Sequence, residues 1–344
     1  MSSVAEPCDV CGTSSTLKPW LEVSLCGVWN RWIHRCSVCG FRQIRPRLTS
    51  RELSALYSAD YFDTTVPIGY GDYAREAQRR ARDAYFLTKR LKRLESANRV
   101  LEVGCALGFL LAKLKHAGWV VDGVDASAFA AYYARTRFEL QVTCGTLEDA
   151  RFPDKAFDLV VQKDLLEHVS RPREHLLETR RIMRPGGEVW LIVPNGEANL
   201  RPLLAEGCIS SERLPLLDQG HLSFFTEAHL RRLFSECGFE CRRARVIGVR
   251  RGLRALGYLG GQRRFARFVD RATQAPGEAG PGRGLTDQPF ESLAARINTD
   301  VVHYYRGFRE WIPYYHYHRF MKWLDTLPAS SALGYDFEFW LTTR

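Results

Sequence analysis

Apolar runs that each end in a turn set the pattern of the middle of this 344-residue chain. The clearest run, Val100-Leu-Glu-Val-Gly-Cys-Ala-Leu-Gly-Phe-Leu110, reads as a buried strand, a glycine-bearing turn and the start of a helix. Similar runs follow over residues 119–125, 157–169 and 181–195. This arrangement is typical of an open α/β sheet, in which ligands bind at the carboxyl ends of the strands.

Acidic residues mark the ends of the first two runs. Glu102 lies at the end of the first predicted strand, where burying a charge is costly. Asp125 ends the second run, where a carboxylate is placed to accept ribose hydroxyls. Glycines at the intervening turn let a ligand approach the main chain. These features predict a nucleotide site. A dinucleotide fingerprint would need G-x-G-x-x-G, whereas the glycines here are Gly104 and Gly108 only.

The spacing Glu102-x-Gly104-x-Ala106-x-Gly108 resembles motif I of the class I S-adenosylmethionine-dependent methyltransferases, with Ala106 where glycine is commonest. Four later segments resemble that family in the expected order, and the resemblance covers residues 95–248. It implies a Rossmann-like seven-stranded α/β sheet, S-adenosylmethionine as cofactor and methyl transfer as the reaction. The four segments are the adenine loop (144–149), the fourth strand with its active-site turn (157–169), the proline-glycine turn with the fifth strand (181–195), and the His-Leu-x-x-Phe-Thr signature (221–226).

The resemblance also implies the residues of the site. His168 follows the fourth strand and is a candidate general base, although in this turn it is equally often architectural. His221 is the second candidate base, because it faces the same rim in relatives. The predicted cofactor-binding residues are Glu102, Gly104, Cys105, Gly108, Asp125, Ala126, Thr146, Leu147, Gln162 and Tyr73.

Two C-x-x-C-G turns near the amino terminus form the second strong motif. Cys8, Cys11, Cys36 and Cys39 can complete a tetrahedral four-sulfur site, which predicts a structural zinc ribbon. Disulfides are the alternative. We found no signal peptide or membrane-spanning run, so we expect a reducing cytoplasm, which disfavours disulfides. A closed four-cysteine site has no open coordination position for catalysis.

The sequence divides into five predicted parts. The last of these is rich in alternating aromatic residues, which predicts an antiparallel strand that closes the sheet. A dense run of aromatics, His and Arg at 302–320 suits either an acceptor cap or plain packing. The parts are the ribbon (1–48), a helical connector and cofactor lid (49–96), the methyltransferase core (97–249), a helical insertion (250–333) and the final strand (334–344).

The net charge of +10 favours anionic partners. The first hypothesis is methyl transfer to oxygen, nitrogen or carbon of a small-molecule acceptor, such as a natural product, sugar or glycan intermediate, that is anionic or glycosylated. The second is an RNA methyltransferase that grips nucleic acid through its ribbon and basic surface. The third is a non-catalytic binding module of the same fold. We expect no membrane partner, and the sequence leaves the oligomeric state open.

Overall fold

The computed structural model describes eight stretches of the chain, which cover both cysteine turns and all four apolar runs. Within them lie twelve strands and nine α-helices. The described residues are 6–14, 16–62, 73–91, 99–204, 214–217, 220–247, 290–306 and 335–343. The strands are β1 (Leu17–Leu25), β2 (Trp29–Cys36), β3 (Arg42–Arg45), β4 (Arg99–Val103), β5 (Val120–Asp125), β6 (Gln141–Cys144), β7 (Phe157–Lys163), β8 (Met183–Pro194), β9 (Leu216–Leu217), β10 (Ser223–Phe224), β11 (Phe239–Ile247) and β12 (Asp336–Thr343). The helices are α1 (Ser50–Leu56), α2 (Tyr73–Leu91), α3 (Phe109–His116), α4 (Ala128–Phe138), α5 (Leu147–Ala150), α6 (Pro172–Ile182), α7 (Gly196–Leu204), α8 (Glu227–Glu236) and α9 (Phe290–Arg306).

The larger sheet has seven strands in the order β11-β12-β8-β7-β4-β5-β6. Strands β4 to β8 pair in parallel, and β12 runs antiparallel between β8 and β11. The predicted Rossmann-like sheet with a final antiparallel strand is therefore confirmed. The strands are apolar because helices cover both faces of a parallel sheet. At the antiparallel edge, Trp190 stacks on Trp340 with 5.8 Å between ring centroids.

The smaller sheet has the order β10-β3-β2-β1-β9. Strands β1, β2 and β3 lie between or beside the cysteine turns and pair antiparallel. Strands β9 and β10 come from the chain that follows α7, so this sheet joins the amino terminus to the core. Its buried residues include Ile33, Ile44, Leu222 and Phe224, which pack in one cluster. The boundary at residue 48 stays a prediction.

Helix α8 begins and ends at residue types that favour helix ends. The Thr226 side chain accepts a hydrogen bond from the backbone N–H of His229, and the His229 ring accepts one from the Thr226 N–H in return. Gly238 follows the helix with φ of +79°. Thr226 is thus an N-cap, and a left-handed glycine terminates the helix, as is typical of helix ends.

Part of the predicted insertion is helical, since α9 spans Phe290–Arg306. Residues 250–289 and 307–333 of the predicted insertion, which include the aromatic run beyond residue 306, lie outside the described residues. None of the helices within the described stretches is both long and apolar enough to cross a lipid bilayer.

Candidate functional site

The turn between β4 and α3 has the backbone that its sequence predicts. Gly104, Ala106 and Gly108 all have positive φ, of +70°, +48° and +77°. A Cβ at Gly108 would lie 2.7 Å from Leu140 Cδ1, so the packing against this turn also requires glycine. Helix α3 begins immediately after Gly108, and its first N–H groups face the carboxyl end of the sheet, where an anionic or polar ligand is favoured.

Asp125 at the end of β5 organises this turn. Its Oδ2 accepts a hydrogen bond from the Ala106 N–H at 2.7 Å, and its Oδ1 accepts one from the Ser127 N–H at 2.9 Å. Burial raises the pKa of the Asp125 carboxyl to about 6. Each oxygen has a second lone pair, so the carboxylate can accept ribose hydroxyls while it holds the loop.

Glu102 is deeply buried, with 1% of its surface exposed. Its Oε1 accepts a hydrogen bond from Arg80 Nη1 at 3.1 Å, whereas its Oε2 is buried without a hydrogen-bond partner. Burial raises the pKa of the Glu102 carboxyl to about 7, although the Arg80 charge opposes this shift. Arg80 lies on α2 and also pairs with Glu76. Helix α2 therefore brings a cation directly against the motif I acid.

The adenine-loop residues lie beside the end of β6. Thr146 caps α5 and forms a reciprocal capping box with Asp149, and Leu147 is buried. The structure thus gives Thr146 and Leu147 a clear structural role, and their contact with a cofactor stays a prediction.

The other predicted cofactor residues differ in what surrounds them. Cys105 is buried within the turn, and Ala126 follows Asp125 in a half-buried loop. Gln162 is fully buried, and its Nε2 donates to Thr179 Oγ1 on α6 at 2.8 Å, so the described contact of this side chain is with a helix. Tyr73 is the first residue of α2, and its side chain lies outside the described residues.

The two candidate bases lie together at the carboxyl end of β7. The rings of His168 and His221 contact edge to face, with 4.8 Å between centroids. Glu167 Oε1 lies 3.7 Å from His168 Nε2 and 4.0 Å from His221 Nε2. Burial lowers the pKa of His168 to about 4 and lowers the pKa of His221 well below its ordinary value. Both imidazoles are therefore neutral at pH 7.

Packing connects this histidine cluster with the motif I turn. A Cβ at Gly104 would lie 2.9 Å from Leu165 Cδ1, and Leu165 precedes the short 3₁₀ helix that carries Glu167 and His168. The Tyr57 ring contacts His168 edge to face at 6.1 Å, and its buried hydroxyl has no hydrogen-bond partner. Burial raises the pKa of Tyr57, and the charges of Glu167 and Asp125 add to this shift.

The four predicted metal ligands converge. The Sγ atoms of Cys8 and Cys39 are 3.6 Å apart, those of Cys11 and Cys36 are 3.7 Å apart, and all four lie within 4.8 Å of one another. A tetrahedral zinc site with Zn–S bonds of about 2.3 Å places its sulfurs about 3.8 Å apart, so the donor set fits zinc. The chain turns at Gly12 and Gly40, where φ is +70° and +78°.

Side chains on two helices of the core make hydrogen bonds to the backbone of these cysteine turns. Arg173 on α6 donates hydrogen bonds to the carbonyl oxygens of Asp9 and Val10, each at 2.8 Å. On α8, His229 Nε2 lies 2.9 Å from the Cys39 carbonyl oxygen. Ordering of the cysteine turns is therefore coupled to the same helices that pack on the seven-stranded sheet.

Sequence reasoning missed two residues of the site. Arg80 lies in a basic helical stretch in which nothing in the sequence distinguishes it from its neighbours. Glu167 is not among the predicted site residues, yet it lies between the two imidazoles of the histidine cluster. Its position after an apolar strand, like that of Asp125, is the signal that could have found it.

Fold and site together define a class I S-adenosylmethionine-dependent methyltransferase. The sequence model of a methyltransferase-domain family matches residues 73–244, which is half of the chain, and the chain belongs to this family.

Curated relatives agree with this assignment, and a solved structure shares the fold. The ubiquinone biosynthesis O-methyltransferase of Thiobacillus denitrificans is 30% identical over 155 residues, which cover 42% of this chain and 66% of that enzyme. The enzyme of the same name from Aeromonas salmonicida is 29% identical over 153 residues, covering 42% of this chain and 63% of its own length. The chain thus matches just under two thirds of the length of these relatives. The [4+2]-cyclase SpnF shares the fold, with a TM-score of 0.50, 17% identity and coverage of 87% of this chain and 98% of that one.

Proposed function

We propose that this methyltransferase transfers the methyl group of S-adenosylmethionine to a hydroxyl group of a small-molecule acceptor. The observation that carries the proposal is the pair of neutral imidazoles, His168 and His221, around the buried Glu167 carboxyl beside the motif I turn. The names of the curated relatives, which are O-methyltransferases, support transfer to oxygen.

The residues of the motif I turn fit the cofactor. Glu102 Oε2 is a buried acceptor that lacks a partner, and it can accept from the ammonium group of the methionine part. The Asp125 carboxylate accepts the ribose hydroxyls. Arg80 offers a guanidinium for the methionine carboxylate, since planar guanidinium groups bind carboxylates well. When bound, the cofactor supplies an electrophilic methyl group on a sulfonium centre.

The chain's own residues then orient the acceptor and keep water out. Transfer of a methyl group is an in-line displacement, which depends mainly on the alignment of the acceptor atom. Burial raises the pKa of the Glu167 carboxyl well above its ordinary value. His168, His221 and Glu167 are placed to polarise or deprotonate the acceptor hydroxyl, because neutral imidazoles accept protons and the carbonyl oxygen of a carboxyl group accepts hydrogen bonds in either protonation state. The aromatic ring of Tyr57 packs against this cluster and helps to exclude water.

We also propose that the four cysteines bind one zinc ion with a structural role. The spacing of their sulfur atoms supports this, as does the closed four-sulfur set. Through the smaller sheet, the zinc site would support the strand next to His221, because the Ile44 N–H donates to the Leu222 carbonyl oxygen at 2.7 Å.

The test is release of S-adenosylhomocysteine by the full-length protein with matched acceptors. We expect turnover with hydroxylated aromatic or sugar-like compounds, and none with the same compounds after their hydroxyls have been O-methylated. Amine counterparts and RNA serve as competing acceptors. Faster turnover on amines or RNA would refute the proposal. Tight cofactor binding with no turnover on any acceptor would favour the non-catalytic module.

A further inference from the structure

The smaller sheet carries three positive side chains in one row across its strands. Arg35 on β2 pairs directly with Lys18 on β1 and with Arg42 on β3. Residues that pair directly across neighbouring strands point to the same face of a sheet. Since strands lie about 4.8 Å apart, the row spans about 10 Å from Lys18 to Arg42. Like charges placed directly opposite one another destabilise a sheet, so this row lowers the stability of the fold.

Acidic partners distinguish the other arginines of these strands from the row. Arg31 on β2 pairs with Glu52 of α1. Arg45 on β3 pairs with Asp9 beside the first cysteine turn. By contrast, the three cations of the row make no ion pair and no side-chain hydrogen bond among the residues that the structure describes. The positive charge that no acid neutralises is therefore confined to one short line on the sheet.

Trp20 on β1 holds the guanidinium at one end of the row. Arg42 Cζ lies 4.8 Å from the centroid of the Trp20 ring, and Arg42 Nε is buried without a hydrogen-bond partner. Burial lowers the pKa of Arg42, and the charge of Arg35 lowers it further, whereas the charge of Glu197 opposes this shift. A guanidinium held on an aromatic ring is already ordered, so it loses less freedom when it binds an anion. Trp20 is itself half-buried, which leaves part of its surface accessible.

The neighbouring cysteine cluster does not account for the row. Arg35 and Cys36 are successive residues of β2, and successive side chains of a strand point to opposite faces of the sheet. The row therefore faces away from the cysteine sulfurs. Arg35 instead shares its face with Ile33, which is fully buried in the apolar cluster of the smaller sheet. Lys18 and Arg35 are exposed, so the row lies where that cluster ends and solvent begins.

We propose that Lys18, Arg35 and Arg42 bind the diphosphate group of a small molecule. Three cations in a line suit an anion that carries several charges on adjacent groups, and guanidinium groups bind phosphate oxygens in pairs. A nucleic acid would need a longer basic surface, because it places charges along its whole backbone. Trp20 offers an aromatic surface beside the phosphates to the rest of the molecule. This site is separate from the motif I turn and from the histidine cluster, and its assignment does not depend on the proposed function.

The test is calorimetric titration of the full chain with inorganic pyrophosphate at low ionic strength, where exposed charges are least screened. We expect one equivalent to bind, and orthophosphate to bind more weakly. Lys18→Gln and Arg35→Gln should each weaken the binding of pyrophosphate at least about tenfold, in line with loss of a charge-assisted hydrogen bond. Both side chains are exposed, so these changes leave the packing intact. Uridine diphosphate tests a nucleotide as the source of the diphosphate, since adenine nucleotides would also enter the cofactor site.

Arg51→Gln is the matched control, because it removes one positive charge from an exposed position of α1 outside the row. Its affinity should stay within about twofold of wild type. Without ligand, Arg35→Gln should raise the melting temperature, since it removes like charges that face each other. A lower melting temperature would show that an acid pairs with Arg35 and would contradict the proposal. Absence of binding to both pyrophosphate and uridine diphosphate would overturn it, as would equal affinity for orthophosphate, an equal loss in the control, or tighter binding of RNA that the row variants abolish.

Discussion

Replacing Asp125 with Asn should weaken cofactor binding far more than it weakens the fold. The carboxylate accepts from two backbone N–H groups, those of Ala106 and Ser127, and is placed to accept from the ribose. An amide of the same shape has only one oxygen. Its NH₂ group would face a backbone donor on one side, and its charge-assisted bonds to the cofactor would be lost.

The magnitudes of the two effects can be estimated from these contacts. A hydrogen bond to a charged group contributes about 1.5–3 kcal/mol, which corresponds to an increase of about 10- to 150-fold in Kd for S-adenosylmethionine. Loss of one backbone contact costs about 1–3 kcal/mol of stability. Removing a carboxylate whose pKa is raised by burial offsets part of that cost, because its charged form is disfavoured in the folded state.

Isothermal calorimetry with S-adenosylmethionine and S-adenosylhomocysteine measures the first effect, and thermal melting measures the second. Asp122→Asn is the matched control, since Asp122 lies on the same strand but pairs with Arg99 at 2.9 Å. We expect normal affinity in the control. Affinity within about twofold of wild type in Asp125→Asn would refute the role assigned to this carboxylate, since a lost charge-assisted bond is expected to cost more.

Three further predictions follow from other parts of the structure. Cys36→Ser should abolish the binding of about one zinc per chain, measured by elemental analysis, and should reduce turnover, measured by the activity assay. Cys241 is a half-buried cysteine outside the cluster, so Cys241→Ser should leave both quantities unchanged. Gly108→Ala should lower the free energy of unfolding by about 1–3 kcal/mol more than Gly118→Ala does. Both glycines have positive φ, but only a Cβ at position 108 would lie 2.7 and 2.9 Å from other side chains. Equal melting temperatures of the two variants would contradict this. Glu102 has a folded-state pKa of about 7 against an ordinary 4.5, so its contribution to stability is fully present below pH 4.5 and lost as the pH rises through 7. Melting temperatures of Glu102→Gln should therefore fall less than those of the wild type between pH 5 and 8, and parallel curves would exclude the raised pKa.

Much of the fold was predictable because local signals and the family pattern agree. The glycines at 104 and 108, the cap at Thr226 and the alternating aromatics of β12 each require the conformation that the structure shows. The cysteine spacing likewise placed four thiols together.

The remaining features depend on contacts between distant parts of the chain. The pairing of β1 with β9 and of β3 with β10 involves two-residue strands, which carry too short a pattern to predict. The ion pair of Arg80 with Glu102 joins residues 22 apart through the packing of α2 on the sheet. Equally, the approach of His221 to Glu167 depends on the path of the chain after α7, which no local periodicity specifies.

The central claim is that the methyl group is transferred to oxygen. The most direct measurement is nuclear magnetic resonance of the product formed from S-adenosylmethionine labelled with ¹³C in its methyl group, using the acceptor found in the matched panel. The account predicts a labelled methyl carbon bonded to an oxygen of a small molecule. A labelled methyl group on nitrogen, on carbon or in RNA would contradict it.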